Sequence, residues 1–143
     1  MAFVKIWVHA VWGTKNRKPV LTKEIRELLF KHIFENAKSK QIHIDCINGY
    51  SDHVHCLLSL NPDISIAKVM QLIKGESAYW ANKNNLIPLK FEWADEYFAA
   101  SVSESMLDKV RNYIRDQEEH HKKVTFMEEY EKFMSSYKFI HHG

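Results

Sequence analysis

Residues 53–60 constrain the fold most. Val54, Cys56, Leu58 and Leu60 recur at every second position of that run. A period of two belongs to a strand, whose side chains alternate between faces. The apolar row suits a sheet face packed under helices. His53 and His55 then project together from the other face, while Val54 points away from them.

The other segments supply the partners such a strand needs. Residues 3–12, rich in Val, Trp, Ile and Phe, predict a first strand, and residues 13–19, with Gly13, Asn16 and Pro19, a loop. Thr22 can cap a helix reaching about Lys38, with Ile25, Leu28, Leu29, His32 and Ile33 on its apolar face. Residues 42–50 predict a second strand with Ile42, Ile44 and Cys46 on one face, and a turn at 49–52 makes a hairpin with the third. Ile66, Val69, Met70, Ile73, Ser77 and Trp80 follow helical spacing. Residues 90–99 suggest a fourth strand. Residues 101–103 can cap a helix from about 104 to 121, and 125–137 form a last amphipathic segment with Phe126, Tyr130, Phe133 and Tyr137 on one side. The order is that of an α+β, ferredoxin-like split βαβ fold. It has a four-stranded antiparallel sheet, open to extension across a dimer, and a C-terminal tyrosine-bearing helix. One domain over residues 1–143 is expected. Two helices cover one sheet face and leave the other for a site or for the extra helix.

Bulk numbers narrow the class. With 143 residues, 45% hydrophobic and 27% charged, the chain has an ordinary globular balance that excludes wholesale disorder. Net charge is 20 − 18 = +2, so nucleic-acid affinity has to come from local clusters of cations. Cys46 and Cys56 read as reduced thiols. The apolar start is interrupted by Lys5 and is too short for a leader or a membrane span. The expectation is a soluble, cytoplasmic protein with no membrane partner.

A bare His-x-His fits two readings, paired ligands for one cation or partly exposed strand histidines. Tyr113 and Gln117 are four apart on the helix after the fourth strand, so they share a face and continue a row through Met106 and Val110. Tyr113 alone also fits a core-edge aromatic, but an amide at a core-facing position needs partners. His120 and His121 fall near that side, where they could touch substrate or metal, but they read more simply as solvated histidines at a helix end. Lys15, Arg17 and Lys18 crowd one loop, with Trp7 and Trp12 nearby. Such a group either grips phosphates and stacks bases or is a solvated loop beside core tryptophans. Lys68, Lys74 and Lys83 add a basic edge, and Arg111 and Arg115 flank the tyrosine. No acidic cluster neighbours the histidine pair in sequence.

Together these segments resemble the single-tyrosine HUH transposases of minimal insertion sequences and their relatives associated with repetitive extragenic palindromes. The resemblance runs from about Phe3 to Tyr137. It rests on the run from His9 through Trp12, Thr14, Lys15 and Arg17 to Leu21, on Asp52-His53-Val54-His55, and on Tyr113-Ile-Arg-Asp-Gln117. Ser51 departs from it, standing where many relatives carry Pro. The resemblance implies a transposase that nicks and rejoins single-stranded DNA beside hairpin ends through a 5′-phosphotyrosine intermediate. Tyr113 would be the nucleophile, and His53, His55 and Gln117 would hold Mg²⁺ or Mn²⁺. Paired imidazoles are unusual for Mg²⁺, which makes Mn²⁺ a reasonable occupant. Lys15, Arg17, Lys18, Trp12, Arg111 and Arg115 would contact DNA. A homodimer is implied, with sites completed within a chain or in trans. The alternatives are a non-catalytic single-stranded nucleic-acid-binding module, a domesticated nickase, and a small metal-dependent phosphoesterase without a covalent step.

Overall fold

Thr22 accepts a hydrogen bond from the Ile25 N–H, and Ser65 accepts one from the Lys68 N–H. These caps satisfy backbone donors that a helix start leaves orphaned, and they begin α1 (Lys23–Ser39) and α2 (Ile66–Lys83). The computed structural model describes residues 2–137. The strands are β1 (Trp7–Gly13), β2 (His43–Gly49), β3 (His53–Ser59) and β4 (Phe98–Val102). They form one antiparallel sheet in the order β2-β3-β1-β4, the ferredoxin-like α+β arrangement expected. Among the described residues, no helix is long and apolar enough to cross a membrane.

Alternation decides where everything goes. Val8, Ala10 and Trp12 of β1 join Val54, Cys56 and Leu58 of β3 in the main core under α1 and α2. Trp7 and Leu57, one residue out of phase, pack on the opposite face with Leu107 and Ile114. Gly49 makes the hairpin between β2 and β3 possible, because a Cβ there would lie 2.1 Å from the His53 carbonyl oxygen.

Three boundaries differ from the sequence reading. In β2, Ile44 pairs with Leu58 and Cys46 with Leu57, so Asp45 is an extra residue in a bulge. The bulge reverses the parity: Ile44 stays in the main core while Cys46 packs against the opposite cluster. Asp45 meanwhile pairs with Arg111 through two short contacts.

The fourth strand is Phe98–Val102, not residues 90–99. Phe91 and Trp93 are core anchors outside that strand, with Trp93 in an isolated bridge to Thr14. Asn82 clasps the Phe91 backbone at both its N–H and its carbonyl, and Trp93 donates to Ser77 Oγ at 2.9 Å. Their aromatic character, which reads as strand propensity, expresses burial instead.

The predicted single helix over 104–121 is broken. After a short 3-10 turn come α3 (Leu107–Arg115) and α4 (Gln117–His121), separated by Asp116 at φ −92°, ψ 19°. A loop then leads to α5 (Phe126–Tyr137).

Candidate active site

Strand parity places His9, His53 and His55 on the sheet face away from α1 and α2. His53 and His55 are wholly buried, so they are not the partly exposed strand histidines that the spacing also allowed. The break at Asp116 swings Gln117 and His121 toward them. α5 closes the site from above. Gly13 lets it approach, since a Cβ there would meet the Phe126 ring at 2.9 Å. Phe126 stacks flat on the His53 imidazole with centroids 4.2 Å apart.

Hydrogen bonding fixes which ring nitrogens point inward. His53 Nδ1 lies 2.8 Å from Asp52 Oδ1, which accepts a hydrogen bond from it, so Nε2 points inward. His121 Nδ1 lies 2.6 Å from the Val124 carbonyl, which accepts from it, so His121 Nε2 also points inward. Gln117 donates its amide N–H to the Tyr113 carbonyl and turns Oε1 inward. That oxygen sits 3.2 Å from His53 Nε2 and 2.9 Å from His121 Nε2. Two imidazole nitrogens and an amide oxygen thus converge on one point, a set of atoms that can ligate a cation.

His55 Nε2 faces Glu129 Oε1 at 2.9 Å, and its Nδ1 faces His9 Nε2 at the same distance. The ligand atoms of His53, His55, His121 and Glu129 all lie within 4.8 Å of one another. The donor set therefore fits a divalent cation.

Electrostatics agree with that reading. Burial, reinforced by neighbouring imidazoles, lowers His55 to about 4 and His9 to about 3. Both rings are neutral at pH 7, as ligands and their supports must be. Burial would raise the Glu129 carboxyl, but the His121 and His55 imidazoles beside it outweigh that and hold it below the usual carboxylate range. The Tyr113 ring lies 5.5 Å from the His55 ring within the same chain, and its hydroxyl donates to Glu129 Oε2. Burial pushes this phenol well up, and the carboxylate adds to the effect.

The other sequence candidates are dispersed. Trp12 corrects an expectation: it is fully buried in the main core, edge-on to Trp93, and offers no face for a base. Lys15 pairs with Glu92 at 3.1 Å. Arg17 lies over the Phe126 and Tyr130 rings of α5, at 5.8 and 5.2 Å from their centroids. Lys18 is exposed on the same loop. Arg111 turns toward β2, to Asp45, and also bonds Asp108. Arg115 is exposed beside Asp116. Lys74 belongs to no basic edge; its ammonium donates to the carbonyls of Ala94, Asp95 and Glu96.

His9 and Glu129 escape the sequence reading, and His121 takes the place among candidate ligands that the sequence reading ranks second. His121 has a side chain only 2% exposed, the opposite of a solvated helix end. Glu129, 3% exposed, supplies an acidic group near the histidine pair that the linear order hides. One signal was available: Glu129 falls within the stripe of Phe126, Tyr130 and Phe133, and a carboxylate on the buried face of a helix needs a reason.

Residues 2–117 match the family described as IS200-like transposases. The ISDra2 transposase TnpA of Deinococcus radiodurans is 29% identical over 115 residues, covering 76% of this chain and 81% of its own. The transposase for insertion sequence element IS200 of Salmonella typhimurium is 26% identical over 120 residues, covering 80% and 78%. A protein of Deinococcus radiodurans solved as a candidate transposase superposes with TM-score 0.63 at 26% identity, over 81% of this chain and 93% of that one. A REP-associated tyrosine transposase, solved bound to a REP hairpin, shares the fold with TM-score 0.64 at 17% identity, over 87% and 73%.

Proposed function

The chain belongs to the IS200-like transposase family, and from that premise we propose that it nicks and rejoins single-stranded DNA beside hairpin ends through a 5′-phosphotyrosine intermediate on Tyr113. The observation that carries this reading is the meeting, inside one chain, of the Tyr113 phenol with the paired imidazoles of His53 and His55 and the amide oxygen of Gln117. A phosphoesterase without a covalent step has no use for a phenol there, and a pure binding module has no use for converging ligand atoms.

His53, His55 and Gln117 would hold a divalent cation, Mg²⁺ or Mn²⁺, and such an ion would supply Lewis-acid stabilisation of charge on the scissile phosphate and the leaving oxygen. Asp52 orients His53, and His9 orients His55, so both Nε2 atoms point inward. The Tyr113 oxygen bonds to phosphorus in line with the departing 3′ oxygen. The P–O3′ bond breaks, and the phenol proton ends on the released 3′-hydroxyl. The ester retains the energy of the broken bond, so a second 3′-hydroxyl can attack it, free Tyr113 and join strands without ATP. At rest, burial and Glu129 hold the phenol protonated, which guards the nucleophile until substrate arrives.

The loop bearing Lys15, Arg17 and Lys18 grips the DNA backbone, with Arg115 and, less directly, Arg111 beside the tyrosine helix. The hairpin carried by the REP-associated relative supports a hairpin substrate here. The enzyme works as a homodimer in the cytoplasm, with each resting site completed by its own tyrosine.

The test is direct. Purified protein, Mn²⁺ and labelled single-stranded DNA from the hairpin-bearing flanks of the gene should give a covalent adduct that Tyr113→Phe lacks. A wild-type protein that never forms the adduct on those flanks would end the proposal.

A further inference from the structure

The three donors assigned to the cation above, His53, His55 and Gln117, leave Glu129 unexplained. Its carboxylate is 3% exposed, and among the described residues its ion-pair partners are all histidines: His55 at 2.9 Å, His120 at 3.0 Å, His53 at 3.4 Å and His121 at 3.5 Å. No lysine or arginine is among them. A buried carboxylate needs partners, and imidazoles without a permanently charged side chain leave it free to serve an ion. Its oxygen atoms lie 3.4 Å from His53 Nε2 and 3.5 Å from His121 Nε2, and the ligand atoms of His53, His55, His121 and Glu129 all lie within 4.8 Å of one another.

Resting on the proposed function, we propose that Glu129 and His121 are further donors to the same ion, which thereby clasps α4 and α5 onto the sheet. A carboxylate makes the set harder and more negative, which favours Mn²⁺ or Mg²⁺ over the softer metals that imidazoles alone prefer. The donors then come from three elements, β3, α4 and α5. Residues that metal ties together gain order from it. α5 otherwise rests on the Phe126 stack, the edge contact of Tyr130 with Phe98, and Phe133 beside His9 and His55. The clasp has a second consequence. Glu129 Oε2 also receives the Tyr113 hydroxyl, so drawing the carboxylate to an ion loosens its hold on the nucleophile.

The experiment uses the full chain without DNA. Mn²⁺ binding is followed by calorimetry and electron paramagnetic resonance, and amide exchange over residues 117–137 is measured with and without Mn²⁺. Wild type should bind Mn²⁺ and gain exchange protection in α5. Glu129→Gln and His121→Gln should each weaken binding at least about tenfold, and Glu129→Gln should abolish the protection gained in α5. Glu119→Gln, which alters an exposed carboxylate bonded to Lys122, should leave both unchanged. The Mn²⁺-dependent rise in melting temperature gives each variant its own metal-free control for folding, and Glu129→Asp should recover part of it.

Mn²⁺ affinity within about twofold of wild type in Glu129→Gln, or α5 protection indifferent to Mn²⁺, overturns the clasp. If wild type still forms the Tyr113 adduct in that case, the proposed function stands and only the clasp is lost. Faster cleavage by Glu129→Gln at unchanged affinity would make Glu129 a mere plug and also overturn it.

Discussion

The two faces of the sheet are built from the same strands by opposite rules. On the face under α1 and α2, β1 and β3 contribute Val8, Ala10, Trp12, Val54, Cys56 and Leu58, and the cluster is apolar throughout. One residue out of phase, the same strands present His9, His53 and His55, buried with Gln117 and Glu129. The first face is stabilised by removing apolar surface from water. The second is dry yet polar, a costly combination unless every group has a partner. The first face thus makes the fold, and the second face, carried by it, holds the chemistry. The family match ends at residue 117, whereas His121 and Glu129 lie beyond it on α4 and α5.

The largest effect should come from breaking the polar face at the proposed nucleophile. Tyr113→Phe removes one hydroxyl and is expected to abolish the DNA adduct in a denaturing gel while the far-UV spectrum stays native. Residual adduct would move the nucleophile elsewhere. Next, His55→Ala should abolish detectable Mn²⁺ binding by calorimetry, and added chelator should silence the wild type equally.

The matching break on the other face is Leu58→Ala. It should cost about 2–5 kcal/mol in urea unfolding, with Mn²⁺ affinity preserved in the fraction that remains folded. A large loss of affinity there would show that the two faces are not separable.

Asp52→Asn sharpens the contrast more gently. It keeps the shape but weakens the partner that fixes the His53 ring, so Mn²⁺ affinity should fall roughly 10–100-fold with little change in stability.

At neutral pH the smallest effect belongs to His9→Gln, whose signature lies in the acid limb. His9 and His55 have folded values of about 3 and 4, below the ordinary 6.5. Between those limits the unfolded chain binds more protons, so the stability of the metal-free protein is full above pH 6.5 and is lost as pH falls toward 4 and 3. Removing His9 should flatten that slope. An unchanged slope would mean that His9 takes no part in it.

Some of this was legible in order and period alone. Alternation over residues 53–60 separated the faces and aimed both histidines the same way. The spacing of Tyr113 and Gln117 put them together one turn apart. Parity failed in β2, because a bulge at Asp45 leaves no mark in the hydrophobic pattern. Trp12 was read as a stacking platform because composition does not say which face a tryptophan takes, although its parity with Val8 and Ala10 placed it in the core. Phe91 and Trp93 mimicked a strand because β propensity and burial favour the same residue types.

What the sequence determined by itself is therefore local and periodic: the first three strands, the capped helices α1 and α2, the apolar face, and the pairs set at two and four residues. What only the tertiary structure decided is the company those pairs keep. His9 reaches His55 across 46 positions, and Glu129 reaches it across 74. The kink at Asp116 brings Gln117 and His121 to His53. Contacts at such separations depend on the docking of whole elements, and no periodicity encodes where a short helix comes to rest.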